Sequence, residues 1–338
     1  MSSEANKSRA FTFDKIGSVD ALKRGEAPIP TLGPGEVLVR VRASSLNYRD
    51  VIILDGHYFL PAPAGRIPLS DGAGEIVAIA PDVTRFSVGD RVTNSFFPDL
   101  IDGPYTGKHL HYNIDVDGWL TDYRAIDAEY LTHITDSLSF EEAATLPCAG
   151  VTAWTALKGV KPGDTVLTQG TGGVSLFAIQ IAKALGARVI ATTSSDTKAE
   201  RLKALGADET INYKDQPEWS QQVRELTDGN GANRIVEVGG AGTLEQSAKS
   251  IAVGGQVTLV GALSGLQGGV EFMTMFMSQA RYQPIAIGSR NDLDDLIRFI
   301  TQHDIHPVID STWDFDDAKL GIERLVTRNV FGKVVIKN

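Results

Sequence analysis

A glycine-rich segment in the middle of the chain has the residue types and spacing of a phosphate-binding turn. It reads Gly170-Thr-Gly-Gly-Val-Ser175 and lies between a short apolar, β-branched run and a stretch with helical spacing. Glycines permit a tight turn and close approach of the backbone to a ligand. The N–H groups at a helix start carry partial positive charge. The segment departs from Gly-x-Gly-x-x-Gly only at Ser175, which is still small enough for helix–strand packing. A tight loop in any α/β protein is the alternative, but the full strand–turn–helix–strand context favours dinucleotide binding.

The elements that must position this turn alternate between strands and helices from residue 150 onwards. Six such strands in βα order predict a doubly wound parallel sheet, the Rossmann arrangement of an α/β nucleotide-binding domain. The predicted strands are 165–168, 188–192, 210–212, 234–238, 256–261 and 284–288, with helices such as 197–205 and 243–251 between them.

The flanking regions have a different character. Many short strands over residues 10–135 predict a mostly β domain with a partly closed barrel. Residues 1–9 are polar and predict a disordered tail. Two helices, 293–302 and 315–327, and a strand over 332–336 are expected to fold back onto the β domain. The predicted domains are therefore 1–150 with 289–338, and 151–288.

Composition narrows the functional classes. The chain has 338 residues, a formal net charge of −10, 42% hydrophobic and 22% charged residues. The negative charge argues against nucleic acid or an anionic membrane as the main partner. No apolar run approaches a membrane span, and the polar N-terminus lacks the apolar core of a signal peptide. The one cysteine, Cys148, excludes an internal disulfide and a multi-cysteine metal site. These features fit a cytoplasmic enzyme.

Residues 97–118 form an irregular stretch with prolines, glycines and two histidines. His109 and His111 have two interpretations, a metal site or an exposed loop, and the loop is favoured.

Several motifs in sequence order resemble the medium-chain dehydrogenase/reductase superfamily over residues 10–337. Within it, the chain is similar to the quinone-oxidoreductase-like branch, or to bacterial proteins called alcohol dehydrogenases that have lost zinc. The resemblance implies a GroES-like, mostly β catalytic domain beside the Rossmann domain. The motifs are Leu32-Gly-Pro-Gly-Glu-Val-Leu-Val, Ser45-Leu-Asn-Tyr-Arg-Asp, Asp71-Gly-Ala-Gly-Glu-Ile-Val, Val88-Gly-Asp-Arg-Val, Leu146-Pro-Cys-Ala-Gly-Val-Thr-Ala-Trp, Leu205-Gly-Ala-Asp-Glu-Thr-Ile-Asn-Tyr and Phe331-Gly-Lys-Val-Val-Ile.

The zinc positions of this superfamily are altered. Zinc members hold the catalytic ion with a Cys, a His and a second Cys, often with a Glu beside the His. Here these positions are Asn47, Ser70-Asp71 and Cys148, and no cysteine occurs in 90–120, where the structural zinc would be bound. A tetrahedral zinc site needs better ligands than Asn, Ser and one Cys. The resemblance thus implies a zinc-free enzyme with no metal site, and Cys148 is interpreted as a small buried residue beside the cofactor.

The resemblance also implies the catalytic residues. Asn47 and Tyr58 correspond to positions in the nicotinamide pocket, with Tyr58 as a candidate proton donor and Tyr48 as a second candidate. Asp50 is expected to orient the loop. Packed aromatics are the alternative for both tyrosines. Without a Lewis acid, charge developing on a substrate oxygen can be stabilised by such hydroxyl, amide or backbone donors.

The predicted cofactor is NADPH. An NAD enzyme of this architecture has Asp or Glu at the end of the second strand, whereas this chain has serines there. If the loop is shifted by one residue, Asp196 would face the ribose instead. We favour the other interpretation, in which Asp196 caps the next helix. The expected cofactor-binding residues are Thr152, Gly172, Gly173, Val174, Ser194, Ser195, Lys198, Tyr213, Gly261, Ala262, Leu263, Phe331 and Lys333.

Together, these expectations predict that the protein is a zinc-free, NADPH-dependent oxidoreductase that reduces quinones or α,β-unsaturated carbonyls. An NAD(P)-dependent alcohol or aldehyde dehydrogenase and a non-catalytic NADPH-binding protein are the alternatives. The physiological substrate and the direction of the reaction stay open. A homodimer is expected, paired through sheet-edge segments near 256–260 and 283–287, with a tetramer as the alternative.

Overall fold

The computed structural model describes residues 7–338 and divides into two compact units. One comprises the chain up to Val151 together with Ile287–Asn338, and the other is Thr152–Ala286. We refer to them as the discontinuous and the continuous unit.

The discontinuous unit is mostly β. Its elements are β1 (Lys7–Phe13), β2 (Leu22–Pro28), β3 (Glu36–Ser45), α1 (Tyr48–Leu54), β4 (Asp71–Ile79), β5 (Arg91–Asn94), β6 (Tyr123–Asp127), β7 (Leu131–His133), α2 (Phe140–Ala143), α9 (Arg290–Gln302), β14 (Ile309–Asp314), α10 (Ala318–Val326) and β15 (Lys333–Lys337). One further helix, α3 (Val151–Ala156), crosses the boundary between the units.

Strand β3 organises this unit. Its side chains alternate, with Val37, Val39 and Val41 buried, as a strand with one face on a core requires. The sheet order is β14-β15-β3-β4-β5-β7, and β6 also pairs with β3. Because β15 lies antiparallel to β3, with Val335 opposite Ser45, the segment just after β3 lies beside the start of β15.

The continuous unit confirms the predicted parallel sheet. Its elements are β8 (Thr165–Gln169), α4 (Gly173–Ala184), β9 (Arg188–Thr193), α5 (Asp196–Leu205), β10 (Glu209–Asn212), α6 (Trp219–Leu226), β11 (Ala232–Glu237), α7 (Leu244–Ser250), β12 (Ile251–Leu259), α8 (Phe272–Ser278) and β13 (Arg281–Pro284). The order β10-β9-β8-β11-β12-β13 places the point of strand-order reversal between β8 and β11, where doubly wound sheets bind ligands.

Some predicted boundaries are wrong. The sixth strand lies at 281–284 rather than 284–288, and 7–9 belong to β1 rather than to a disordered tail; residues 1–6 lie outside the described part. Strand β12 pairs on both sides, so 256–260 is interior and β13 is the edge. The helix predicted over 315–327 begins as a short 3₁₀ turn, and its α-helical part is α10.

No helix within residues 7–338 is long and apolar enough to cross a membrane.

Candidate functional site

The glycine turn connects β8 to α4. Gly170 has a φ of +72°, which glycine adopts without strain, and its N–H donates to the Thr192 carbonyl of β9 at 2.8 Å. Gly172 is the N-cap of α4, so the first amides of that helix have no intrahelical acceptor. A Cβ added at Gly172 would meet no atom within 4 Å. The open space at Gly172 and the helix-start amides of Gly173 and Val174 beside it fit a pyrophosphate.

The end of β9 differs from the prediction in one respect. Ser195, not Asp196, is the N-cap of α5, and its hydroxyl accepts from the Lys198 backbone N–H at 3.4 Å. The Asp196 carboxylate instead accepts from Asn212 at 3.1 Å. The prediction that Asp196 caps this helix is therefore wrong, because the serine before it takes the cap position. The Tyr213 backbone N–H donates to Thr193 at 2.9 Å, which holds Tyr213 beside the end of β9.

Sequence reasoning missed Glu237, a fully buried carboxylate at the end of β11. It accepts hydrogen bonds from the Gly239 and Gly240 amides at 2.8 and 2.9 Å, and from the Gln169 side chain at 2.7 Å. The hydroxyls of Thr243 and Ser247 also donate to it. A charged residue directly after the apolar pair Ile235-Val236 was the available sequence signal.

Backbone hydrogen bonds hold the loop after β11 against the segment after β12: the Ser264 N–H donates to the Gly239 carbonyl at 2.7 Å, and the Ala241 N–H donates to the Gly265 carbonyl at 3.1 Å. A Cβ added at Gly240 would lie 2.6 Å from Ala262 Cα, and one at Gly261 would lie 2.8 Å from the Val238 carbonyl oxygen. Gly261 therefore permits a close backbone approach. Leu263 is partly exposed, at 43%. The last predicted cofactor residue of this unit, Thr152, is buried in α3.

The altered zinc positions form a hydrogen-bonded chain in the discontinuous unit. The ammonium of buried Lys333 donates to the Leu46 carbonyl and to Asn47 Oδ1, both at 2.5 Å. Asn47 Nδ2 donates to Ser70 at 3.3 Å, and the Ser70 hydroxyl donates to Asp71 at 2.9 Å. The other Asp71 oxygen accepts from the Cys148 backbone N–H at 3.1 Å.

The same segment begins helix α1. The Asn47 backbone N–H donates to Asp50 at 2.8 Å, which closes a capping box. Asp50 also accepts from Asn113 at 3.1 Å, so it orients this loop. Burial raises the pKa of Asp50 to about 6, and the nearby Arg49 and Lys333 charges oppose that rise.

The donor set does not fit zinc. Asn47 and Ser70 present a neutral amide and a hydroxyl where a tetrahedral zinc site needs thiolate, imidazole or carboxylate ligands. Burial raises the pKa of Asp71, and the Lys333 charge opposes this. A cationic ammonium already occupies the hydrogen-bonding position beside Asn47. Within residues 7–338, no three His, Cys, Asp or Glu side chains are grouped closely enough to hold a metal ion.

Each candidate tyrosine contacts an arginine. Arg49 Nε donates to the Tyr58 hydroxyl at 3.3 Å, and Arg328 donates to the Tyr48 hydroxyl.

Two further predicted positions are buried. The expectation of an exposed histidine loop is wrong for His111, whose side chain is buried and whose Nε2 shares a hydrogen bond of 3.2 Å with the Tyr105 hydroxyl. Phe331 is also buried, and its N–H donates to Asp310 at 2.8 Å.

Comparison with known proteins gives the family. Residues 33–136 match the model of the alcohol dehydrogenase GroES-like domain, and 173–302 match that of the zinc-binding dehydrogenases. The chain is 42% identical to a zinc-type alcohol dehydrogenase-like protein of Schizosaccharomyces pombe, over 97% of this chain and 99% of the relative. It is 32% identical to a quinone oxidoreductase of Pseudomonas aeruginosa, over 97% and 99%.

A solved NAD-dependent alcohol dehydrogenase is similar to this chain at a TM-score of 0.91 and 36% identity, covering 98% of this chain and 99% of that one. The shared two-unit architecture and the extent of these matches agree with the motifs in the sequence. The chain therefore belongs to the medium-chain dehydrogenase/reductase superfamily of oxidoreductases.

Proposed function

We propose that this protein is a zinc-free, NADPH-dependent reductase of quinones or α,β-unsaturated carbonyls. One observation carries the proposal: a neutral Asn47–Ser70 pair stands where zinc members have metal ligands, and the Lys333 ammonium donates to Asn47. Hydride transfer to an enone or a quinone gives a delocalised enolate or phenolate, which needs less Lewis-acid assistance than the localised alkoxide formed from a simple aldehyde or ketone.

The chain's own residues have separable tasks in this reaction. The amides of Gly172, Gly173 and Val174 would hold the pyrophosphate, and the segment at 261–263, which packs on the loop after β11, would line the nicotinamide. NADPH, when bound, supplies the hydride. Tyr58 would donate a hydrogen bond, and then a proton, to the oxygen on which negative charge develops. Asn47 would keep the loop that carries Tyr48 and Asp50 in place.

The preference for NADPH rests on the end of β9. Ser194 and Ser195 stand there instead of an acidic residue, and the Ser195 hydroxyl still has its own proton to donate. Lys198 lies in the first turn of α5. These groups suit a 2′-phosphate better than a ribose hydroxyl.

Replacing Lys198 with alanine should raise the NADPH Michaelis constant by ~10-fold or more and leave that of NADH nearly unchanged. A lost charged hydrogen bond of about 1.5–3 kcal/mol gives a change of that size. Steady-state kinetics with both cofactors would measure it. A wild-type preference for NADH, or an equal effect on both cofactors, would show that the 2′-phosphate assignment is wrong.

The zinc-free assignment predicts no stoichiometric zinc in the purified protein and full turnover in the presence of a chelator. Elemental analysis measures the first, and assays with a panel of quinones, enones, alcohols and aldehydes measure the second. About one zinc per chain, with loss of activity on chelation, would favour an alcohol dehydrogenase, which is what two of the relatives' names suggest. NADPH binding without turnover of any panel compound would favour the non-catalytic alternative.

We also propose that the protein forms a homodimer through the β13 edge of the parallel sheet. Within residues 7–338, this edge strand pairs with a strand on one side only, and helix α8, which precedes it in the chain, exposes Phe272 and Phe276 at 73% and 58%. Light scattering at micromolar concentration should give the mass of two chains, and replacing Phe272 and Phe276 with serine should shift the population towards one chain. A wild-type monomer would contradict the proposal.

A further inference from the structure

The guanidinium of Arg49 lies between aromatic rings and beside the proposed proton donor. It stacks on Phe96 and Tyr58, with its central carbon 5.0 and 5.1 Å from the two ring centroids. Nη2 donates to the Tyr112 carbonyl at 3.0 Å, and Nε donates to the Tyr58 hydroxyl at 3.3 Å. The planar group is thus fixed by four contacts, and one of them is to the atom that would do the chemistry.

This cation differs from other ordered arginines in the same unit. Arg9 and Arg324 each form a paired hydrogen-bond contact with one carboxylate, Asp122 and Asp310. Arg49 has no carboxylate within ion-pair distance among residues 7–338, and its Nη1 is buried without a hydrogen-bond partner there. The Arg49 charge acts on the neighbouring buried Asp50 carboxylate and opposes the rise of its pKa, but the two groups form no direct ion pair. The hydrogen bonds of the guanidinium go instead to the Tyr58 hydroxyl and the Tyr112 carbonyl.

The direction of the hydrogen bond determines what Tyr58 can do next. Because Nε donates, the Tyr58 oxygen accepts, and the phenol's own proton stays available for another acceptor. No acceptor for it is found in the described part of the chain. His111, whose ring lies 6.4 Å from that of Tyr58, has its pKa lowered by burial and by Arg49. Protonated histidine is therefore disfavoured here, and Arg49 is the cation at the hydroxyl.

We propose that Arg49 is the positioning residue that makes Tyr58 a proton donor: it directs the hydroxyl proton towards the substrate and stabilises the phenolate that remains. The proposal rests on the proposed reductase function.

The step balances as follows for an enone. The C=C π bond breaks and a C–H bond forms at the β-carbon with the hydride that NADPH supplies. The electron pair moves to the carbonyl oxygen, and the Tyr58 O–H bond breaks as its proton passes to that oxygen. The phenolate, held by the guanidinium, then takes a proton from water. The negative charge stays on the Tyr58 oxygen, where the fixed, positively charged guanidinium of Arg49 stabilises it.

A double-mutant cycle separates action through Tyr58 from a general structural role. Turnover and Michaelis constants with one enone of the panel are measured for Arg49→Met, Arg49→Lys, Tyr58→Phe and the Arg49→Met/Tyr58→Phe double variant. Arg91→Met serves as the matched control, because Arg91 also stacks on an aromatic ring (Phe140, 4.6 Å) and donates to a backbone carbonyl (Leu138, 2.6 Å). Solvent isotope effects and NADPH affinity are measured on each variant.

We expect Arg49→Met to lower turnover by ~10- to 100-fold with little change in the Michaelis constant, and to raise the solvent isotope effect. The double variant should be no slower than Tyr58→Phe alone, and Arg49→Lys should recover part of the loss. Arg91→Met should change none of these quantities. Multiplicative losses in the double variant, or full turnover in Arg49→Met, would overturn the inference. An unaffected Tyr58→Phe variant would instead refute the donor assignment within the proposed function, and a protein with zinc and no enone activity would refute that function itself.

Discussion

Tyr58→Phe is expected to lower turnover about 100-fold with little change in NADPH affinity, because a positioned general acid contributes at least that much. The substitution removes only the hydroxyl, and the ring keeps its contacts with Arg49 and with Phe59, whose ring centroid lies 4.4 Å away. The folded state should therefore be preserved. Single-turnover and steady-state assays with an enone measure the loss.

Tyr48→Phe is the necessary comparison, because Arg328 contacts the Tyr48 hydroxyl in a similar way. If Tyr58→Phe keeps its full turnover number and Tyr48→Phe loses it, the donor is Tyr48. If both keep it, neither hydroxyl transfers a proton, and both side chains are packed aromatics.

Lys333→Met should produce the largest loss of stability. The variant removes a buried cation whose charge offsets those of Asp50 and Asp71, and it leaves the acceptors on Leu46 and Asn47 unpaired. Breaking a buried charge network in this way costs about 3–5 kcal/mol. We expect the thermal unfolding midpoint to fall by about 10 °C, a shift that calorimetry resolves readily.

Two further variants make this result specific. Lys337→Met lies on the same strand, but the side chain is 58% exposed and its ion pair with Glu141 spans 3.4 Å, so its effect should stay within about 1 kcal/mol. Adding Asp71→Asn to Lys333→Met removes one uncompensated carboxylate and should recover part of the loss. Equal midpoints for Lys333→Met and Lys337→Met would show that the buried ammonium has no net stabilising role.

Local sequence signals were sufficient for much of the fold. The alternation of Val37, Val39 and Val41 predicts β3, and the glycine turn after β8 predicts the start of α4. Strand β2 was missed because, after Leu22, its side chains are all exposed and show no apolar alternation. The Ser195 cap was missed because serine and aspartate are adjacent and both are good caps.

Contacts between distant residues could not be predicted. Lys333 and Asn47 are 286 positions apart, and their hydrogen bond depends on the register of β15 against β3. The contact between Arg49 and Tyr58 depends on the conformation of the loop after α1. That loop has no hydrophobic periodicity from which its conformation could be predicted. Asn47 was predicted by resemblance as a nicotinamide-pocket residue, and the structure adds the network that it joins, which no motif contains.

The position of β15 in its sheet has a consequence for biosynthesis. It is an interior strand that pairs with both β14 and β3, yet it follows every other strand of that sheet in the chain, with the whole of Thr152–Ala286 translated in between. A nascent chain can complete the parallel sheet of the continuous unit while residues 43–45 of β3, which pair with β4 on one side, still lack β15 on the other. During that interval this part of β3 is an unpaired β edge, and the Asp50 and Asp71 carboxylates lack the Lys333 charge that offsets theirs. Chaperone dependence during translation, and sensitivity to ribosome stalling between β13 and β14, should therefore concentrate in the discontinuous unit.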